Sequence, residues 1–84
     1  MHFIYIIKSL KNESLYIGYT ENINRRIREH NNNESFTTKK YSPWELVYLE
    51  GYKDQKDALD REKKLKQFGR VYSQLKRRIR NTLQ

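Results

Sequence analysis

The first twenty residues hold two strand-forming segments, HFIYIIK at 2–8 and LYIGY at 15–19, separated only by the polar stretch Ser9–Ser14. β-Branched and aromatic side chains favour a pleated, half-buried surface. Two such segments joined this closely pair as an antiparallel hairpin, because a parallel return needs a long crossover. The rest of the chain must cover that hairpin. Thr20 before ENINRRIREHNNN reads as an N-cap, with Glu21 in the first turn of a helix over 21–31. Asn31 to Pro43 is polar and aperiodic, and reads as a mobile loop. Trp44 to Tyr52 has strand composition, apolar on both faces, which predicts a central position in the sheet. Gln55 to Phe68 predicts a helix ended by Gly69 in a left-handed cap, and Arg70 to Leu83 predicts a last helix. The order β-β-α-β-α-α describes an α+β fold, a three-stranded antiparallel sheet flanked by helices. At 84 residues, 1–84 is expected to form one domain.

The absence of Cys removes disulfide scaffolds, thiolate zinc sites and thiol catalysis, and suits a reducing compartment. The apolar run ahead of Lys8 is too short for a signal segment or a membrane span, so a soluble cytoplasmic protein is expected. The formal charge of +8 is unevenly placed. Residues 61–84 hold nine bases and one acid, whereas 1–34 hold five and four, and 35–60 hold four and five. A basic excess confined to one segment is the footprint of a polyanion binder, since each cation near a phosphate releases a condensed counterion. A solvated helical surface is the plainer explanation. Membrane binding fits poorly, because the segment has no stripe of Trp, Phe and Leu to lower into lipid.

Helical periodicity places Ala58, Leu59, Leu65 and Phe68 on one arc facing the sheet, with Glu62 inside it and Arg61, Lys63 and Lys64 outside. A carboxylate on an apolar arc needs compensation. Taken alone, Glu62 reads first as one half of a partly buried ion pair and second as a metal ligand. On the preceding helix Ile23 and Ile27 mark the buried stripe, which brings Arg26 and His30, one turn apart, to the sheet-facing side. A satisfied structural histidine is the ordinary interpretation. Tyr5 and Tyr16 sit on adjacent hairpin strands and are able to share a face, although Tyr is also simply a good strand residue. Gly18 weakens its strand and marks a close approach by backbone or ligand.

Together these residues resemble the GIY-YIG endonuclease superfamily, small stand-alone bacterial type. Tyr16-Ile17-Gly18 is the second motif intact, and Phe3-Ile4-Tyr5 is the first with Phe in place of Gly. Arg26 and His30 match the Arg and the His or Tyr four residues later, and Glu62 matches the metal-binding Glu. Gln74 stands near where larger members carry Asn, and Tyr19 stands where some repair nucleases place Lys. The resemblance covers nearly the whole chain.

The resemblance implies phosphodiester hydrolysis with one Mg²⁺ or Mn²⁺ held by Glu62 and otherwise by waters and substrate oxygens. Tyr5 is then the favoured base, with Tyr16 as its partner. Arg26 stabilises transition-state charge, and His30 positions water or phosphate. Gly18 lets the scissile phosphate approach, while Lys39, Lys40 and the C-terminal bases hold the backbone. The implied substrate is nucleic acid, DNA before RNA, structured or damaged as in repair or recombination. The protein is expected to act as a monomer, weakly or with a protein partner that selects substrate. The alternatives are a nucleic-acid-binding module of the same fold with little cleavage, and a purely structural domain.

Overall fold

The computed structural model describes residues 1–84. Strands β1 (His2–Ser9), β2 (Leu15–Thr20) and β3 (Trp44–Tyr52) form one antiparallel sheet, with helices α1 (Ile23–Asn31), α2 (Gln55–Gln67) and α3 (Gly69–Arg78). This is the expected α+β fold with the expected element order. The strand order is β2-β1-β3, so β1 is central and β3 lies at an edge. The central place expected of β3 is therefore corrected. β1 buries Ile4, Tyr5, Ile6 and Ile7 in succession, which only a strand covered on both faces does, whereas Leu46 and Leu49 of β3 are each about 40% exposed.

The sheet has a core on each face. On one, Ile4, Ile6 and Ile17 pack with Ala58, Leu65 and Leu75 from α2 and α3. On the other, Tyr5, Ile7 and Trp44 pack with Tyr16, Ile23 and Ile27. Cross-strand register sets Tyr5 opposite Gly18 and Ile7 opposite Tyr16, so the two hairpin tyrosines share the α1 face.

Four local expectations change. Helix α1 is capped by Asn22, whose side chain accepts from the Arg25 amide at 3.0 Å, because Thr20 is used in a turn, accepting from the Asn22 amide at 3.1 Å. Gly69 has no positive φ and begins α3, since Phe68 makes the break in extended conformation. Leu59 and Phe68 are exposed, and the buried stripe of α2 runs through Ala58 and Leu65, with Arg61 and Glu62 half-buried between them. The 31–43 segment is tied down rather than free. Asn31 receives the Trp44 amide at 2.6 Å and donates to its carbonyl at 3.0 Å, and the Trp44 indole donates to the Thr38 carbonyl at 2.9 Å. No helix is long and apolar enough to cross a membrane.

Candidate active site

The site begins at the centre of the sheet. Tyr5 is 1% exposed, and its ring fills the space above Gly18, where an added Cβ would stand 2.4 Å from Tyr5 Cζ. Glycine is thus required there by a side chain of the same site. Tyr5 Oη lies 2.8 Å from Nε2 of His30, itself fully buried. His30 Nδ1 lies 2.6 Å from Thr38 Oγ1. Both ring nitrogens are thus partnered, as a buried imidazole requires. Tyr16 meets the His30 ring edge-on at 5.4 Å and Trp44 at 6.4 Å. Its hydroxyl makes no hydrogen bond within the chain and no buried polar atom is left without a partner, so this phenol is open to solvent.

Charge reaches this cluster from two helices. Arg26 of α1 pairs with Glu29 at 3.1 Å and lies near enough to Tyr5 to favour its phenolate. Burial is the stronger influence and pushes the Tyr5 hydroxyl up to about 12, with the charges of Tyr16 and Glu62 acting in the same direction. Burial also pulls His30 down to about 4, helped by Arg26, so the imidazole is neutral at physiological pH. Glu62 of α2 bonds to Lys66, one turn on, at 3.1 Å, and Lys66 Nζ stands 5.8 Å from the centre of the Tyr16 ring. Its first sequence interpretation, half of an ion pair, is what the carboxylate displays.

Tyr5, Tyr16, Arg26, His30 and Gly18 therefore occupy one region, and Glu62 borders it electrostatically. Lys39 and Lys40 are exposed on a single 3-10 turn, Lys39 over the Phe36 ring at 4.8 Å, and Gln74 is exposed on α3. None of these three touches the tyrosine–histidine cluster in the structure. Thr38 and Trp44 were not singled out by sequence. Thr38 lies in an aperiodic stretch with no visible signal, whereas the lone Trp opening a strand was a usable one.

As a metal centre the region is sparse, for no three His, Cys, Asp or Glu side chains cluster. A single carboxylate with one ammonium partner fits Mg²⁺ or Mn²⁺ that keeps most of its waters, and does not fit an all-protein cage.

The sheet, its flanking helices and the hairpin phenols make up a small α+β domain with a polar site on one sheet face, and its match to a family model gives its class, a catalytic domain of the nuclease type. Residues 1–76 match the GIY-YIG catalytic domain, and the chain belongs to the GIY-YIG family. It is 44% identical over 70 residues to a UPF0213 protein of Staphylococcus saprophyticus, covering 82% of this chain and 84% of the relative. A UPF0213 protein of Haloquadratum walsbyi is 39% identical over 74 residues, covering 87% of this chain and 82% of the relative. No solved structure matches. Membership in a nuclease family implies a nucleic-acid substrate.

Proposed function

We propose that the protein is a divalent-metal-dependent endonuclease that hydrolyses phosphodiester bonds, DNA before RNA, in structured or damaged substrates of repair or recombination. One observation carries this. Tyr5 and Tyr16 of the hairpin gather around His30 of α1, with Tyr5 Oη 2.8 Å from its Nε2 and the Tyr16 ring 5.4 Å from the imidazole. A bound Mg²⁺ or Mn²⁺ at Glu62 would neutralise charge on the scissile phosphate and leaving oxygen.

The chain's own groups divide the remaining work. The base role expected of Tyr5 passes here to Tyr16, because Tyr5 is buried, bonded to His30 and disfavoured as a phenolate. Tyr16 has an uncommitted, solvent-reachable hydroxyl to meet the attacking water. Arg26, a third exposed, stabilises the added negative charge of the transition state, and His30 holds Tyr5 in place. The basic residues of α3, which make no ion pairs in the structure, hold the phosphate backbone. The expected setting is a cytoplasmic monomer, 1–84 forming one domain, with room for a partner that selects substrate.

The Lys66–Glu62 pair favours a second function, a binding module with little turnover, because it already neutralises the one candidate metal carboxylate. Cleavage of labelled DNA and RNA structures with Mg²⁺ or Mn²⁺ decides between them. Loss of about 100-fold or more in Glu62→Gln, and of similar size in Arg26→Ala, supports the nuclease. Equal background cleavage by wild type and Glu62→Gln ends it.

A further inference from the structure

One cleft opens in the molecule, between β2 at the sheet edge and helices α2 and α3. It holds about 250 Å³ and is lined by Leu15, Tyr16, Ile17, Leu65, Lys66 and Tyr72. A single water needs roughly 10–15 Å³ by that measure, so the space is far too large for a structural water. Three walls are aliphatic and two are phenols, and the only charge is an ammonium. The Tyr72 hydroxyl, like that of Tyr16, makes no hydrogen bond within the chain.

Each phenol carries a lysine. Lys66 Nζ stands 5.8 Å from the Tyr16 ring centre, and Lys76 Nζ stands 4.4 Å from that of Tyr72. An apolar slot with aromatic walls, with Lys76 free of any acid and Lys66 shared with Glu62 beside it, complements a flat heterocycle attached to a phosphate. It suits an acyl chain badly, because hydrocarbon offers nothing to the phenol hydroxyls or the cations. Arg70, Arg77, Arg78 and Arg80 extend the positive charge along and just beyond α3, and none of them is in an ion pair with an acid. Tyr16 belongs both to this cleft and to the His30 cluster, 5.4 Å away. A base seated in the cleft would therefore hold its own phosphate beside Tyr16.

We infer that the cleft takes one unstacked nucleobase of the strand being cut, so that the substrate class is nucleic acid with an unpaired nucleotide next to the scissile phosphate. The inference rests on the nuclease function proposed above. Inside a continuous duplex the base is stacked and paired, and only its edges are accessible; a base at a bulge, flap or end leaves the stack at small cost. Stacking on aromatic side chains then tolerates any base.

The test is binding in EDTA, where no turnover occurs. A fully paired duplex is compared with the same duplex carrying one bulged 2-aminopurine, using the fluorescence of that base, for wild type and Tyr72→Ala. Wild type is expected to prefer the bulged duplex by about tenfold, the scale of one stacked base, and Tyr72→Ala to lose that preference. Amide shifts of wild type on titration with the bulged duplex provide a readout that needs no variant, and are expected at Leu15, Ile17, Leu65 and Tyr72. Equal affinity of wild type for both duplexes, or shifts that spare those four residues, overturns the proposal. So does an identical shift pattern from free dAMP at the same concentration, which would make the cleft a mononucleotide site. A preference for the bulge without cleavage under Mg²⁺ or Mn²⁺ removes the nuclease function and leaves the cleft. Cleavage of paired and bulged duplexes alike, unaffected by Tyr72→Ala, removes the cleft and leaves the nuclease.

Discussion

The Tyr5 hydroxyl stands 2.8 Å from Nε2 of His30, and both side chains are sealed within the α1 face of the sheet. Thr38 completes a row of three at 2.6 Å from Nδ1. A hydroxyl, a neutral imidazole and a second hydroxyl carry three protons between two hydrogen bonds, so one proton is left over. Thr38 and Tyr5 are each 1% exposed, and the tautomer of His30 sets which hydroxyl donates to the ring and which accepts from it.

Thr38→Val keeps the shape and removes the hydroxyl. The variant is expected to lose about 1–2 kcal/mol of stability and the fixed tautomer of His30. Urea unfolding measures the first, and long-range ¹⁵N–¹H spectra of the imidazole measure the second. An imidazole spectrum unchanged by the substitution would mean that Thr38 does not set the tautomer.

His30 also sets an acid limb. In the unfolded chain its imidazole takes a proton near pH 6.5, but burial, aided by Arg26, delays protonation in the folded state to about 4. Between those values the unfolded state binds more protons, so stability falls as pH falls. The contribution is full above about pH 6.5 and gone below about pH 4, and amounts to something on the order of 3 kcal/mol. Urea midpoints at pH 7.5, 5.5 and 4.5 are expected to fall in wild type and to flatten in His30→Gln over that window. A parallel fall in the variant would assign the limb to other groups.

Gly18 offers a steric test. An added Cβ would stand 2.3 Å from Tyr5 Oη and 2.8 Å from Cε1, and the buried ring has nowhere to retreat. Gly18→Ala is expected to cost about 1–3 kcal/mol, the usual scale of overpacking, and to reduce cleavage by displacing Tyr5. In a double-mutant cycle with Tyr5→Ala the two losses should be strongly non-additive, because the smaller side chain removes the clash. Additive losses would mean that Gly18 matters for its backbone alone.

Much of this arrangement was visible in the residues. The hairpin followed from two short β-branched runs, and helical periodicity put Arg26 and His30 on the sheet side of α1 and Glu62 inside the apolar arc of α2. What periodicity does not encode is partner identity. Apolar character on both faces reads alike in β1 and β3, but only β1 buries four residues in succession, while β3 leaves Glu45, Leu46 and Leu49 exposed. Arg61, expected outside the arc, falls inside it at about 60° from Ala58, which is why its guanidinium meets Glu50 half-buried. Thr38 acquires its role only through contact with a residue eight positions earlier, across a segment with no pattern.

Glu50 and Arg61 provide the contrast to Glu62. Arg61 grips Glu50 with two nitrogens, Nε at 3.0 Å and Nη2 at 3.1 Å, while the hydroxyls of Tyr48 and Tyr52 each donate to the same carboxylate at 2.6 Å. Burial opposes ionisation of Glu50, but these bonds overcome it and hold the carboxyl below its ordinary range. The network ties β3 to α2 and includes none of the hairpin site residues. Glu50→Ala leaves a guanidinium and two phenols without their acceptor, and is expected to cost about 1–3 kcal/mol, discounted for the partial exposure of both charges. Thermal unfolding should record that loss, while cleavage per folded molecule at low temperature stays at the wild-type rate. Glu62→Gln is expected to do the reverse, keeping most of the stability, since it gives up one half-exposed pair with Lys66, and losing the turnover. If Glu50→Ala abolished cleavage in protein still folded, the acid that matters to the chemistry would be on β3, and Glu62 would be left as the ion pair it forms with Lys66.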